Sequence, residues 1–171
     1  MMSPALNPSF YQIKIRIFAG DQLPMMDADM GFLGKAKIDA YLKTEFKKKK
    51  FKTKTVSFSK GDDPVRWNTE FWLPAQIPVI QQKIHIYLMD AEDLGYDEVA
   101  GSLYLNTKEI LERHEDDDDR FVWKNIYGSP LGQSNSKYKK KMNDDPEFAS
   151  QWKGRVLLHI SAEPTDKPVS K

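Results

Sequence analysis

The 171-residue chain carries 26 Lys and Arg against 25 Asp and Glu, a formal charge of +1, although 30% of its residues are charged. Local clusters of sign are therefore more informative than the total, and the balance excludes a strongly basic nucleic-acid binder. The absence of cysteine excludes a disulfide scaffold and thiolate chemistry and is compatible with a reducing compartment. The length suits one domain with a sizeable core. No segment approaches the roughly 20 apolar residues of a membrane span, and the opening MMSPALNP lacks the pattern of a signal peptide.

Along the chain the dominant hydrophobic period is two. Residues 11–18 (YQIKIRIF) alternate polar and apolar side chains as a half-buried strand does, and 36–44, 51–58 and 69–73 repeat the pattern. Residues 83–89, 100–105, 121–126 and 154–161 complete a set of eight short β-rich segments separated by turn residues. This pattern predicts an all-β fold, an eight-stranded antiparallel β-sandwich. One helix is expected after the sixth segment, over 107–114 with Thr107 as N-cap. The charge run at 114–120 reads as a solvated loop. Residues 127–153 form a long insert before the last strand, with a short helix expected near 146–150. The domain spans 11–161, flanked by an extension at 1–10 and a tail at 162–171.

Connections from odd to even segments emerge at one end of such a sandwich. That end gathers Asp27 and Asp29, then Asp62 and Asp63, then the acidic stretch LMDAEDLGYDEVAG with Asp90, Glu92, Asp93, Asp97 and Glu98. Asp39 lies just inside the second strand near the same end. Carboxylates converging from separate loops suit Ca²⁺, a hard cation that takes six to eight oxygens; a polar sandwich end without metal has the same sequence signature. An EF-hand is excluded, because Leu94 and Gly101 stand where that loop needs oxygen ligands.

The stretch KTEFKKKKFKTK, 43–54, holds seven lysines and one glutamate. On a strand Lys50, Lys52 and Lys54 share one face. Such a row is either a solvated turn or a contact for an anionic membrane, worth about 1 kcal/mol per lysine near the headgroups. The stretch lacks aromatic residues spaced for base stacking, which argues against nucleic acid. In the first loop Met30, Phe32 and Leu33 are apolar residues at a tip, suited either to capping the core or to entering a bilayer. His85, His114 and His159 stand in no nucleophile or metalloprotease motif, so no enzyme activity is expected.

In combination and in order, Leu23-Pro-Met-Met-Asp27, Asp39-Ala-Tyr41, the basic strand, the run from Asp63 to Pro74, and Asp90-Ala-Glu92 closing at Gly101 resemble a C2 domain over about 11–161. A narrower resemblance is to the C2 domains of ferlins, the multi-C2 proteins of vesicle fusion and membrane repair. It rests on the long first loop with KAKID, on Trp67-Asn68 followed by LPAQIP, and on WKNIYGSP, 123–130, before an insert ending in WKGRVLL, 152–158. The resemblance implies type II topology, the circularly permuted form with an extra strand at the C-terminus. It implies Asp27, Asp39, Asp90, Glu92 and Glu98 as Ca²⁺ ligands, with Asp97 able to substitute for Glu98. It places Lys50, Lys52 and Lys54 in the phosphoinositide-binding region.

Glu at 92 and 98 where the family has Asp moves each carboxylate outward, and Asp39-Ala-Tyr41 departs from the usual Asp-Pro-Tyr. The implied function is Ca²⁺-regulated binding of anionic phospholipid membranes in vesicle trafficking and exocytosis. The implied location is cytoplasmic and peripheral at membranes, as a piece of a larger, membrane-anchored protein. The alternative is Ca²⁺-independent docking to neighbouring C2 domains or fusion-machinery proteins.

Overall fold

The computed structural model describes residues 7–27, 35–78, 83–112 and 121–171. Among them the strands are β1 (Ser9–Asp21), β2 (Lys37–Phe46), β3 (Lys49–Lys52), β4 (Val56–Ser59), β5 (Val65–Ile77), β6 (Lys83–Asp90), β7 (Glu98–Asn106), β8 (Val122–Gly128) and β9 (Gln151–Pro164). Two helices accompany them, α1 (Thr107–Leu111) and α2 (Ser136–Asp144).

The strands follow the order β3-β2-β6-β7-β8-β9-β1-β5, with β4 also paired to β2 and every pairing antiparallel. Between β7 and β8 the ladder narrows to the single pair Ser102↔Tyr127. There the sheet folds into two layers, β3/β4-β2-β6-β7 against β8-β9-β1-β5. The last strand lies between β8 and β1, the arrangement expected of the permuted topology.

Period-two alternation decides which side chains enter the core. Ile13, Ile15 and Ile17 of β1 meet Ile84, Ile86 and Leu88 of β6 in one buried cluster with Val156, Leu158 and Ile160 of β9. Trp67, 2% exposed, spans the layers, its indole N–H donating to the Ala40 carbonyl at 3.2 Å. Gly20 makes room for that ring, since a Cβ there would stand 2.6 Å from it.

The predicted third segment, 51–58, is two strands rather than one. The Thr53 side chain is buried and its hydroxyl accepts the Leu42 N–H at 3.0 Å, while the Thr53 N–H donates to the Leu42 carbonyl. A side chain thus takes a ladder position, and the strand breaks around it. The helix after β7 is capped by Asn106, one residue earlier than expected, through its side-chain oxygen and the Lys108 N–H.

The helix of the insert is also displaced from its expected position, covering Ser136–Asp144 in place of 146–150. Asn135 caps its start by accepting from the N–H groups of Lys137 and Tyr138. Pro146 disfavours helical backbone at Asp145, which forms the C-cap. Residues beyond β9 lie along the second layer. The buried Gln12 amide donates to the Val169 carbonyl and accepts its N–H, and Lys171 exchanges backbone hydrogen bonds with Trp72.

Gly20→Ala drives a methyl group into the Trp67 ring. It is expected to destabilise the fold by about 1–3 kcal/mol, seen as a lower midpoint of urea unfolding.

Candidate metal centre

The centre of the site follows from strand alternation. Asp90 ends β6 on the face of Ile84, Ile86 and Leu88, so the register that buries three aliphatic side chains also buries a carboxylate. Asp90 is 1% exposed. Its Oδ1 accepts the Asp39 N–H at 2.9 Å, and the Ala91 N–H returns to the Asp39 carbonyl at 2.8 Å. These two bonds stitch the acidic loop to β2.

Loop one reaches the same point through an isolated bridge, Asp27↔Lys37, with the Asp27 N–H on the Lys37 carbonyl at 2.9 Å. Carboxylate oxygens of Asp27, Asp90 and Glu92 consequently lie within 4.8 Å of one another. Asp90 Oδ2 is buried without a hydrogen-bond partner among the described residues. Burial, reinforced by the neighbouring carboxylates of Asp27, Glu92 and Asp39, pushes the Asp90 pKa up to about 6 against the lowering effect of the Asp39 N–H. A buried carboxylate with one unsatisfied oxygen, grouped with two further carboxylates, fits a hard divalent cation. Three bidentate carboxylates supply at most six of the six to eight oxygens that Ca²⁺ takes.

The other expected ligands have partners of their own. The Asp39 carboxylate pairs with the Lys37 ammonium at 2.6 Å. Asp97 accepts the Tyr41 hydroxyl at 2.6 Å and the Glu92 N–H at 3.2 Å, and these bonds, the Tyr41 one foremost, lower its pKa. In this position it orients Glu92. Glu98 forms an ion pair with Lys139 of α2. Asp62 accepts the Ser59 N–H at 2.7 Å across a turn in which Gly61 has φ +89°. Asp29, Met30, Phe32 and Leu33 lie outside the described residues.

Two cationic partners, Lys37 and Lys139, were not singled out in the sequence. The first is visible there as the lysine of KAKID, but the second comes from an insert whose docking no local pattern announces. Also absent from the sequence reading is the tip of the acidic loop, where Leu94 is 92% and Tyr96 97% exposed on either side of Gly95, φ +114°. Two large apolar residues flanking a glycine in an acidic run were the available signal.

The lysine row lies along the outer face of the first layer. Lys50 stands 3.6 Å from Glu45, Lys52 sits 5.2 Å from the centre of the Tyr41 ring, and Lys54 is exposed just past β3. Lys43 joins them, 4.4 Å from the Tyr87 ring centre. Deeper on that face His85 stacks on Tyr87 at 3.7 Å, and burial lowers its pKa to about 4, so it is neutral near pH 7. The face therefore combines ammonium groups with aromatic walls, beside the acidic end.

The sequence model of the C2 domain matches residues 11–124. No curated protein matches the sequence. Among solved structures, the first C2 domain (domain A) of plant extended synaptotagmin 1 superimposes with a TM-score of 0.56 at 14% identity, over 91% of this chain and 96% of that one. The calcium-bound pair of C2 domains, A and B, of extended synaptotagmin 2 gives 0.60 at 18% identity, over 88% of this chain and 45% of that one. Human GIVD cytosolic phospholipase A2 in complex with methyl gamma-linolenyl fluorophosphonate gives 0.54 at 16% identity, over 94% of this chain and 18% of that one. At these identities the superpositions speak for the fold alone, and the chain spans under half of the latter two proteins. The two-layer sandwich, the acidic loops at one end and the family match together place this chain in the C2 domain family.

Proposed function

We propose that this C2 domain binds anionic phospholipid membranes under the control of Ca²⁺, as a module of a larger ferlin-like protein of vesicle trafficking, exocytosis or membrane fusion. The observation that carries the reading is the buried Asp90 carboxylate, whose Oδ2 has no hydrogen-bond partner among the described residues and which lies within 4.8 Å of carboxylate oxygens of Asp27 and Glu92. Asp27, Asp90 and Glu92 are the residues proposed to hold the ion, with Asp97 orienting Glu92. Bound Ca²⁺ supplies positive charge that offsets their mutual repulsion and attracts lipid phosphate.

On this reading Asp39 and Glu98, the remaining expected ligands, contribute only if they leave Lys37 and Lys139. Leu94 and Tyr96 are the exposed apolar side chains proposed to enter the bilayer, and Met30, Phe32 and Leu33 are proposed for loop one. Lys50, Lys52 and Lys54, with Lys43 beside them, are proposed to meet anionic headgroups, phosphoinositides included. The ferlin-like assignment rests on the residues of loop one and on WKNIYGSP before the insert, and places the domain in the cytoplasm, peripheral at membranes.

One observation favours a second reading, Ca²⁺-independent docking to a neighbouring C2 domain or another protein. Lys37 and Lys139 already neutralise Asp39 and Glu98, so part of the acidic end is balanced without an external ion. Co-sedimentation with phosphatidylserine vesicles, in Ca²⁺ and in chelator, separates the two. Binding lost in chelator supports the first reading, and binding absent or unchanged supports the second.

Asp90→Asn removes the buried charge. The ion-free variant is expected to melt at or above the wild-type temperature, while the rise on adding Ca²⁺ disappears. Calorimetry showing wild-type Ca²⁺ uptake by Asp90→Asn would refute its role.

The pH dependence has a defined sign. An acid whose folded pKa is raised from 3.8 to about 6 favours the folded state below pH 3.8, and that contribution is lost as pH rises through about 6. Ion-free protein should thus lose about 3 kcal/mol from this group between pH 4 and 7. Ca²⁺ affinity, measured by calorimetry, should fall about tenfold per pH unit below 6 as the proton competes. Replacing Leu94 and Tyr96 together by Ser should weaken vesicle binding at least tenfold without changing Ca²⁺ uptake, given about 1.5–3 kcal/mol for each large apolar side chain buried.

A further inference from the structure

We infer a second ligand site in this domain, for a phosphate group, in the cavity between the acidic loop and the insert. The inference starts from Lys153, a lysine only 5% exposed near the start of β9. Its stem is threaded past two glycines. A Cβ on Gly101 would come within 3.3 Å of Lys153 Cβ, and one on Gly128 within 3.2 Å of its Cγ. A Cβ at either position would stand closer still to other neighbours, Ile126 at Gly101 and Asn143 at Gly128, so the stem runs through a tightly packed passage beside β7 and β8.

The path leads to a cavity of about 180 Å³ lined by Glu98, Ser129, Gln133, Lys139, Asn143 and Lys153. The walls are rigidly held. Asn143, 3% exposed, accepts the Ser129 N–H at 2.8 Å and pins α2 to the end of β8, and the turn from Pro130 to Gln133 is closed by a 3.3 Å backbone bond around Gly132 at φ +79°.

The charges in this cavity do not balance. It contains two ammonium groups and one carboxylate, and that carboxylate, Glu98, is already paired with Lys139. The Lys153 ammonium makes no ion pair and no side-chain hydrogen bond among the described residues. Burial first, then the nearby Lys139 charge, lower its pKa, while Glu98 opposes the shift. The Lys153 stem is buried while its ammonium opens onto the cavity, so the charge is only partly hydrated there, and a single oxyanion entering the cavity offsets it. Phosphate is the chemistry that suits the surroundings, since ammonium groups act on it as point charges while hydroxyl and amide donors, here Ser129 and Gln133, can meet its remaining oxygens.

Met26 and Glu98 also line the cavity, so it opens at the same end as the Asp27–Asp90–Glu92 cluster. Both free phosphate and the phosphate of a membrane lipid are candidate sources. The site does not depend on Ca²⁺; only its use by a lipid rests on the membrane reading.

The test is thermal melting with chelator present, in inorganic phosphate and in chloride at equal ionic strength. Alongside it, binding is measured to phosphatidylcholine vesicles with and without phosphatidic acid. Wild-type protein should gain about 3–6 °C at phosphate ten times above its Kd. Lys153→Met keeps the stem and removes the charge, so it should melt no lower than wild type in chloride and gain nothing from phosphate. Lys139→Gln, on the partly exposed helix, frees Glu98 to neutralise Lys153 and should also lose the response; it serves if Lys153→Met does not fold.

A response to soluble phosphate alone assigns the site to free phosphate. A Lys153-dependent response to phosphatidic acid alone assigns it to lipid. No response to either, or equal responses in wild type and the variants, would overturn the site, while leaving the Ca²⁺ titration of Asp90 unaffected.

Discussion

A carboxylate in an aliphatic register is the constraint around which this domain is arranged. Asp90 occupies the core-facing position that follows Ile84, Ile86 and Leu88, and burial there raises the cost of its charge. One oxygen is satisfied by the Asp39 N–H, which ties β2 to the acidic loop. The other has no hydrogen-bond partner among the described residues, and the carboxylate lies beside those of Asp27 and Glu92. The geometry of the loops at that end follows from holding this one charge in place: the Asp27 bridge, the Asp97 bond to the Glu92 N–H and the Tyr41 hydroxyl on Asp97 all surround it.

Around that centre the protein supplies cations of its own. Lys37, two residues from Asp39 on the same strand face, meets its carboxylate, and Lys139 reaches Glu98 from a helix in the insert. Tethered ammonium groups lower the repulsion among acids without leaving the site saturated, since Asp27, Asp90 and Glu92 remain as a compact set. A longer side chain at 98 than the family pattern has is consistent with this arrangement: the added methylene carries the carboxylate outward, where α2 meets it. The insert is thus part of the electrostatics of the acidic end and not a separate appendage. Its own attachment depends on Asn143 and on Gly128, where a Cβ would stand 2.5 Å from the Asn143 oxygen.

Much of the fold was legible because strands and cores write themselves in short-range alternation. The run YQIKIRIF could hardly bury its isoleucines except as a strand, and the eight expected segments each coincide with strand in the structure. The departures have local causes outside that period. Thr53 took a ladder position with its hydroxyl and split a segment in two, Asn106 outcompeted Thr107 as a cap, and Asn135 with Pro146 moved the insert helix ahead of its expected place. Of the expected ligands, Asp27, Asp90 and Glu92 converge, whereas Asp39, Asp97 and Glu98 are engaged elsewhere. A hydrogen bond from Tyr41 and ion pairs from Lys37 and Lys139 make that division; Tyr41 and Lys139 reach across the fold, whereas Lys37 is two residues from Asp39.

The sequence by itself determined the sandwich, the end at which its acids collect and the C2 character of the chain, because alternation, turn residues and the order of acidic and basic clusters are properties of neighbours in the chain. Only the tertiary structure decided which carboxylates share a site, which are claimed by lysines, and where Lys153 comes to rest between Gly101 and Gly128. Apart from the local Lys37–Asp39 pair, those outcomes depend on contacts between segments far apart in sequence, and on the balance of charge and burial that such contacts create.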